Sequence, residues 1–230
     1  MVRQGTAAIV PVKALAEAKR RLAGLLPDAV RRRLVLAMLE DVLAALARVG
    51  SVEGVLVVTP DPAAAALAGA AGGLVVPETG AGGLNAAIET GIACARSRGA
   101  RRVLVLPGDV PLATPAEIEG VLASRGTQPG VTLVPSHDGN GTSALLLAPP
   151  DAVAPAFGPG SYVAHLSQAM ARRIDVNVVH SAGLARDIDE PADLYALLAG
   201  PGLRARYGFL EPCLAASAPA PARIPSPEER

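Results

Sequence analysis

Tryptophan is absent, and all aromatics together make up 2% of the 230 residues. Base-stacking platforms, on which many single-strand nucleic-acid binders depend, are therefore excluded, and any core must be built from Val, Leu, Ile and Ala. An excess of either charge is missing too, since 21 Lys plus Arg balance 21 Asp plus Glu. No global field draws the chain to nucleic acid or to an anionic membrane. The only two cysteines, Cys94 and Cys213, lie far apart with no CxxC, which excludes a disulfide framework and fits a reducing, cytoplasmic setting. His137, His165 and His180 show no metal-ligand spacing, and there is no GxSxG and no Cys-His arrangement. Nucleophilic acyl chemistry therefore lacks its usual parts. No run reaches the ~20 apolar residues that span a bilayer, and the apolar stretch after Arg3 and Gln4 is too short for a signal peptide. The expectation is a cytoplasmic protein with neither nucleic acid nor membrane as partner. The oligomeric state stays open, a homodimer among the options.

Half of the residues are hydrophobic, so a sizeable core is assured, and they come in short runs separated by helical patterns. Strands are expected at 6–12, 55–59, 74–76, 103–106, 131–134, 144–147 and 174–179. Between them lie helices over 27–49, 63–71, about 85–98, from Thr114-Pro-Ala-Glu117 onward, 161–170 and 191–198. The helix at 27–49 is the clearest, with Val30, Leu34, Met38, Val42, Leu46 and Val49 on one face. Arg31 to Arg33 read as its solvated side. Thr114-x-x-Glu117 has the form of a capping box with Pro at the first helical position. Alternating strands and helices imply an α/β fold, a doubly wound and mostly parallel sheet with helices on both faces. The domain is expected to run over residues 1–210, and the Pro/Ala-rich 211–230 to form a disordered tail.

The apolar run Val103–Leu106 stops at Pro107-Gly108, and Asp109 follows. In an open α/β sheet the ligand sits beyond the carboxyl ends of the strands. A carboxylate there suits a hard cation bridging to phosphate, although it could instead cap a turn. Asp187-Ile-Asp189 is a second acidic site. Alternation in an extended segment points both carboxylates one way and Ile188 into the core. Two such acids repel unless a cation lies between them; one of them could instead cap the helix starting at Pro191. Lys13, Lys19, Arg20 and Arg21 follow the first strand, where α/β proteins often bind phosphate, or they form a solvated basic turn. Gly80-Ala-Gly-Gly-Leu-Asn85 opens a helix after a strand and reads either as a nucleotide-contacting loop or as a plain glycine turn. Ser136–Ser143 and Phe157-Gly-Pro-Gly-Ser161 are polar and suit a carboxylate or phosphate. Ser161 could also be merely the N-cap of helix 161–170.

Val10-Pro-Val-Lys13, Ala18-Lys-Arg-Arg-Leu22, Gly83-Leu-Asn-Ala-Ala87, Leu106-Pro-Gly-Asp-Val-Pro-Leu112, Asp138–Leu145, Phe157–Ser161 with His165, and Asp187-Ile-Asp-Glu-Pro191 together resemble a known family. It comprises the 2-phospholactate and phosphoenolpyruvate guanylyltransferases of deazaflavin coenzyme F-420 biosynthesis. The match covers about residues 6–198. It implies a nucleotidyltransferase fold, GT-A-like and Rossmann-like, and transfer of GMP from GTP to a small phosphorylated carboxylic acid with release of pyrophosphate. It implies magnesium held by Asp109, Asp187 and Asp189, with Asp109, Asp189 and Lys13 catalytic. It implies GTP contacts from Lys13, Lys19, Arg21, Gly83, Asn85 and Asp109, and an acceptor held near Thr142, Gly158 and Ser161. Ser143 departs from the family's Asn, and Arg20 from a small hydroxyl residue. The first loop lacks the glycine-rich signature of molybdopterin guanylyltransferases, which favours the phosphoacid branch. A molybdopterin or sugar-phosphate nucleotidyltransferase, or a non-catalytic nucleotide-binding module, are the alternatives.

Overall fold

A computed structural model describes residues 5–78, 82–125, 128–200 and 202–217. Seven strands form one sheet: β1 (Thr6–Pro11), β2 (Val52–Thr59), β3 (Leu74–Pro77), β4 (Arg102–Val105), β5 (Gly130–Pro135), β6 (Thr142–Ala148) and β7 (Val176–Val178). Their order is β3-β2-β1-β4-β6-β5-β7. The pairs β1–β2, β2–β3, β1–β4 and β5–β7 are parallel, and β6 runs antiparallel to both its neighbours. The mostly parallel sheet agrees with the sequence. The antiparallel member arises because β5 and β6 are joined by only six residues, too few for a crossover.

Strands buried on both faces sort their side chains by parity. Ala8 and Val10 of β1, with Leu104 of β4 and Leu146 of β6, face one core. Ala7 and Ile9, with Val103, Val105, Leu145 and Leu147, face the other. The first core is covered by α1 (Asp28–Leu46), α2 (Pro62–Ala70), α4 (Pro115–Ala123) and α6 (Pro191–Ala199). The second is covered by α3 (Gly83–Ser97) and α5 (Ser161–Ala171). In α3, a Cβ on Gly91 would lie 2.6 Å from Ile9 Cγ2, so glycine permits this helix to approach β1 closely.

Three expectations are corrected. The first long helix ends at Leu46 rather than Val49. Arg31 is buried rather than solvated, with one guanidinium nitrogen donating to the Leu26 carbonyl at 3.1 Å and another to Asp28. The expected tail does not begin at 211. After α7 (Leu203–Tyr207), α8 spans Glu211–Ser217, and Tyr207, Leu210 and Leu214 are buried in the first core. Burying large apolar side chains yields about 1.5–3 kcal/mol each, enough to order a short helix that composition alone would leave loose. Residues 218–230 lie outside the described residues, as do Thr79, Gly80 and Ala81 of the expected glycine loop. Among the described residues no helix is long and apolar enough to cross a membrane.

Candidate active site

The strand order reverses between β1 and β4. Chains leaving the carboxyl ends of these two strands diverge, and the crevice between them is where open α/β sheets bind ligands. The loop after β1 contributes Lys19, and the turn after β4 contributes Asp109. A third segment enters from 184–189, where the Ile188 amide donates to the Asp109 carbonyl at 3.1 Å. Ile188 is fully buried. That bond and that anchor bring Asp187 and Asp189 alongside Asp109, as the alternation of the sequence implies.

Lys19 occupies the centre. Its Nζ lies 2.6 Å from Asp109 Oδ2 and 2.6 Å from Asp189 Oδ1, and its side chain is 6% exposed. Burial alone would lower its pKa, but the two carboxylates outweigh that and push it up to about 12. Its backbone is left-handed, at φ +53°, between two 3-10 turns, Leu15–Glu17 and Arg20–Leu22. Such a conformation costs a non-glycine residue of order 1 kcal/mol and persists only where the surroundings fix it. Buried Leu15 and Leu22 do so from either side. Asp61 helps: its Oδ2 accepts from Leu15 N–H at 3.1 Å while its Oδ1 caps α2 through Ala63 and Ala64.

The acids crowd one another. Burial, then the neighbouring charges of Asp109 and Asp189, raise the pKa of Asp187. Asp109 Oδ1 is buried without a hydrogen-bond partner. Neither Asp187 nor Asp189 caps the following helix. Glu190 stands at the N-cap, and Asp193, the third helical residue, closes the capping box: its Oδ2 accepts from the amides of Asp189 (3.1 Å) and Glu190 (2.8 Å). Among the described residues no group of three or more His, Cys, Asp or Glu side chains is drawn together closely enough to hold a metal ion. The carboxylates close on the Lys19 ammonium instead.

The other expected residues have their own surroundings. Lys13 is exposed two residues beyond β1, and Arg21 is exposed, 3.2 Å from Glu190 next to Asp189. An exposed pair of that kind adds little stability. Gly83 opens α3 with φ +72°. Asn85, one turn in, commits both ends of its carboxamide to the backbone of Phe157: Oδ1 accepts from the amide at 2.7 Å, and Nδ2 donates to the carbonyl at 3.1 Å.

Thr142, Gly158 and Ser161 are brought together. Thr142 N–H donates to Ser161 Oγ at 2.8 Å, and Ser161 N–H to the Gly158 carbonyl at 3.1 Å. Ser161 is not the N-cap of α5; Gly160 stands there, at φ +73°, without a side chain to cap. The serine hydroxyl ties α5 to β6 instead. His165, fully buried, joins the same network. Its Nε2 accepts from Ala156 N–H at 2.9 Å, so the ring proton sits on Nδ1 and faces Thr142 Oγ1 at 3.0 Å. Burial holds its pKa down at about 4.

The lowered pKa has a consequence for stability. Between about pH 6.5 and 4 the unfolded chain takes up a proton at His165 that the folded chain refuses, so stability falls as pH drops through that window. The expected loss is up to about 3 kcal/mol by pH 4 and nothing above pH 7. Urea unfolding of the wild type and His165→Gln at pH 7 and pH 4.5 measures it. The wild type should lose more stability on acidification than the variant; equal losses would contradict a neutral, buried His165.

Sequence reasoning missed two anchors. Asp61 was visible as Pro-Asp-Pro ahead of a helix, an N-cap signature, but its grip on Leu15 is non-local. Glu117 was visible as a capping box. In the fold its Oε1 also accepts from Ser181 Oγ (2.7 Å) and Gly183 N–H (2.8 Å), fixing the start of the segment that carries Asp187 and Asp189. No local pattern signals that second use.

Comparison with known proteins adds five similarities. Residues 6–212 match the family model described as "Guanylyl transferase CofC like". The phosphoenolpyruvate guanylyltransferase of Sphaerobacter thermophilus is 41% identical over 192 residues, 84% of this chain and 92% of that protein. The protein of the same name from Rubrobacter xylanophilus is 43% identical over 202 residues, 86% and 96% respectively. Among solved structures, a putative nucleotide-diphospho-sugar transferase from Desulfovibrio desulfuricans G20 superposes with a TM-score of 0.74 at 18% identity, covering 91% of this chain and 95% of that one. Glucosyl-3-phosphoglycerate synthase from Mycobacterium tuberculosis, solved with Mn2+, uridine diphosphate and phosphoglyceric acid, superposes at 0.59 with 12% identity over 89% and 79%. At such identities the structures speak for the nucleotidyltransferase-like fold.

Proposed function

Because the chain belongs to the CofC-like guanylyl transferase family, we propose that it transfers GMP from GTP to the phosphate of phosphoenolpyruvate, in the cytoplasm and as a step of coenzyme F-420 biosynthesis. Its curated relatives carry that enzyme name over most of their length. The observation that carries the proposal is the meeting of Asp109 and Asp189 on one buried lysine at the switch point of the sheet, with Asp187 beside them. This is a charge arrangement for a polyphosphate and its cation rather than for a neutral ligand.

With the Lys19 ammonium between them the acids are not gathered tightly enough for an ion, but their chemistry fits a divalent cation that displaces it. They are all oxygen donors, like charges crowd there, and one buried oxygen of Asp109 lacks a partner. Asp109, Asp187 and Asp189 would hold it, magnesium being the ion whose chemistry suits carboxylates shared with phosphates. When bound, the cation neutralises charge on the triphosphate.

The chain's own residues do the rest. An acceptor phosphate oxygen forms a bond to the α-phosphorus of GTP, and the bond from that phosphorus to the bridging oxygen breaks. Its electron pair leaves with pyrophosphate. The attacking phosphate is already anionic at neutral pH, so no general base is required, which agrees with the neutral, fully engaged His165. Catalysis then consists of positioning and electrostatic stabilisation. Lys13 and Lys19, with Arg21 at the rim, supply positive charge to the triphosphate, and Gly83 lets the α3 terminus approach the nucleotide. The loop Phe157–Ser161, braced on Thr142, receives the carboxylate of the acceptor.

The test offers the protein GTP, magnesium and one acceptor at a time: phosphoenolpyruvate, 2-phospholactate, 3-phosphoglycerate and a sugar 1-phosphate. Pyrophosphate is measured and the product weighed by mass spectrometry. Phosphoenolpyruvate should give the guanylylated product. Turnover with the sugar phosphate alone, or GTP binding with no pyrophosphate from any acceptor, would contradict the proposal.

A further inference from the structure

We infer that Asn85, at the mouth of the nucleotide side, is a positioning residue for the acceptor loop; the inference rests on the function proposed above. The two hydrogen bonds from its carboxamide to Phe157 join residues 72 apart in sequence. Both go to one residue's backbone, one accepted and one donated. Only a carboxamide presents a donor and an acceptor in that fork, so the fork commits the orientation of Asn85 to the acceptor loop.

What it pins needs pinning. Immediately beyond Phe157 the chain runs through Gly158 at φ +129° and Gly160 at φ +73°. A Cβ on either glycine would meet nothing within 4 Å, so no side chain packs there, and their carbonyls bond only to the residues just after them, Ser161 and Ala164. On the side before the glycines the loop is held at Ala156 by His165 Nε2 and at Phe157 by Asn85, and on the far side Ser161 ties it to Thr142. The Phe157 ring adds an edge contact to His165, with centroids 5.2 Å apart. Release of the Asn85 fork frees the backbone next to Gly158, while the His165 brace keeps the hairpin beneath it in place. The cost therefore falls on the acceptor, although the residue sits on the helix whose first turn faces the nucleotide.

Asn85→Asp and Asn85→Ala test this with two readouts. Asp keeps the shape and the acceptor but loses the donor and sets a carboxylate against the Phe157 carbonyl; Ala removes both bonds. KM for phosphoenolpyruvate should rise about tenfold or more in each, and KM for GTP should change less than twofold. In amide exchange, the peptide covering Ala154–Ser161 should exchange faster in Asn85→Ala, while α3 beyond its first turn is unchanged. A rise in the KM of GTP equal to or above that of the acceptor, or an unchanged acceptor KM, would overturn the assignment. So would unchanged exchange at 154–161. The exchange experiment needs no turnover, so failure of the clamp is separable from failure of the proposed reaction, which the wild type alone decides.

Discussion

Replacing Asp109 with Asn should lower guanylyl transfer by at least about 10³-fold at saturating magnesium while the fold stays intact. The substitution keeps shape and removes charge. Loss of one preorganised electrostatic group at a reacting centre typically costs 10²–10³ in turnover. Asp109 has two such duties, as the carboxylate nearest the switch point and as a partner that aligns Lys19. Stability should barely move. Lys19 keeps Asp189 as partner, and one fewer negative charge relieves the crowding that raises the pKa of Asp187. The two effects oppose each other, so a change within about 1 kcal/mol is expected for this partly solvated set. Pyrophosphate release and a thermal melt, run on the same preparation, check both. Turnover within tenfold of wild type would sink the role given to Asp109.

Lys19→Met should do the reverse of a clean active-site change, damaging stability and turnover together. The lysine side chain is 6% exposed and holds two carboxylates. Removing one member of a buried pair leaves uncompensated charge, which costs 3–5 kcal/mol when burial is complete. Here Asp109 and Asp189 are 28% and 43% exposed, and water reaches both, so a loss of about 2 kcal/mol is expected. Turnover should fall about 10²-fold through loss of a phosphate-facing cation. Three neighbouring carboxylates without their lysine should also respond more strongly to a divalent cation. Millimolar magnesium, without nucleotide, should therefore raise the melting temperature of Lys19→Met more than that of the wild type. Equal responses would mean that the three acids do not share one site.

Much of this geometry was legible along the chain, and the reason is locality. Val103–Leu106 ends at Pro-Gly-Asp, and a strand that short and apolar has one place in an α/β sheet, with its last residue at the ligand edge. Asp187-Ile-Asp189 was legible because alternation in an extended segment needs no partner to define it. Arg31 was misread because its neighbours Asp28 and Leu26 accept its guanidinium at close range, a local alternative to solvent that three arginines in a row conceal. The helix at 211–217 was missed because its ordering energy comes from a core built largely by α1, far away in sequence. The Asn85 fork and the second use of Glu117 were illegible for the same reason: each joins segments more than 60 residues apart, and no spacing records such a contact. Lys19 lies between these cases. Its charge type was visible, while its place between Asp109 and Asp189 was fixed only by a left-handed turn and the Leu15 and Leu22 anchors.

The most direct measurement is a crystal structure of the wild-type enzyme grown with Mn2+ and a GTP analogue that resists transfer, read by anomalous scattering. Manganese should appear at ligand distance from Asp109 and from at least one of Asp187 and Asp189, in contact with the triphosphate, and with the Lys19 ammonium displaced from between the acids. A manganese peak elsewhere, with Lys19 still closed on Asp109 and Asp189 and the nucleotide bound, would contradict the shared cation site on which the proposed reaction depends.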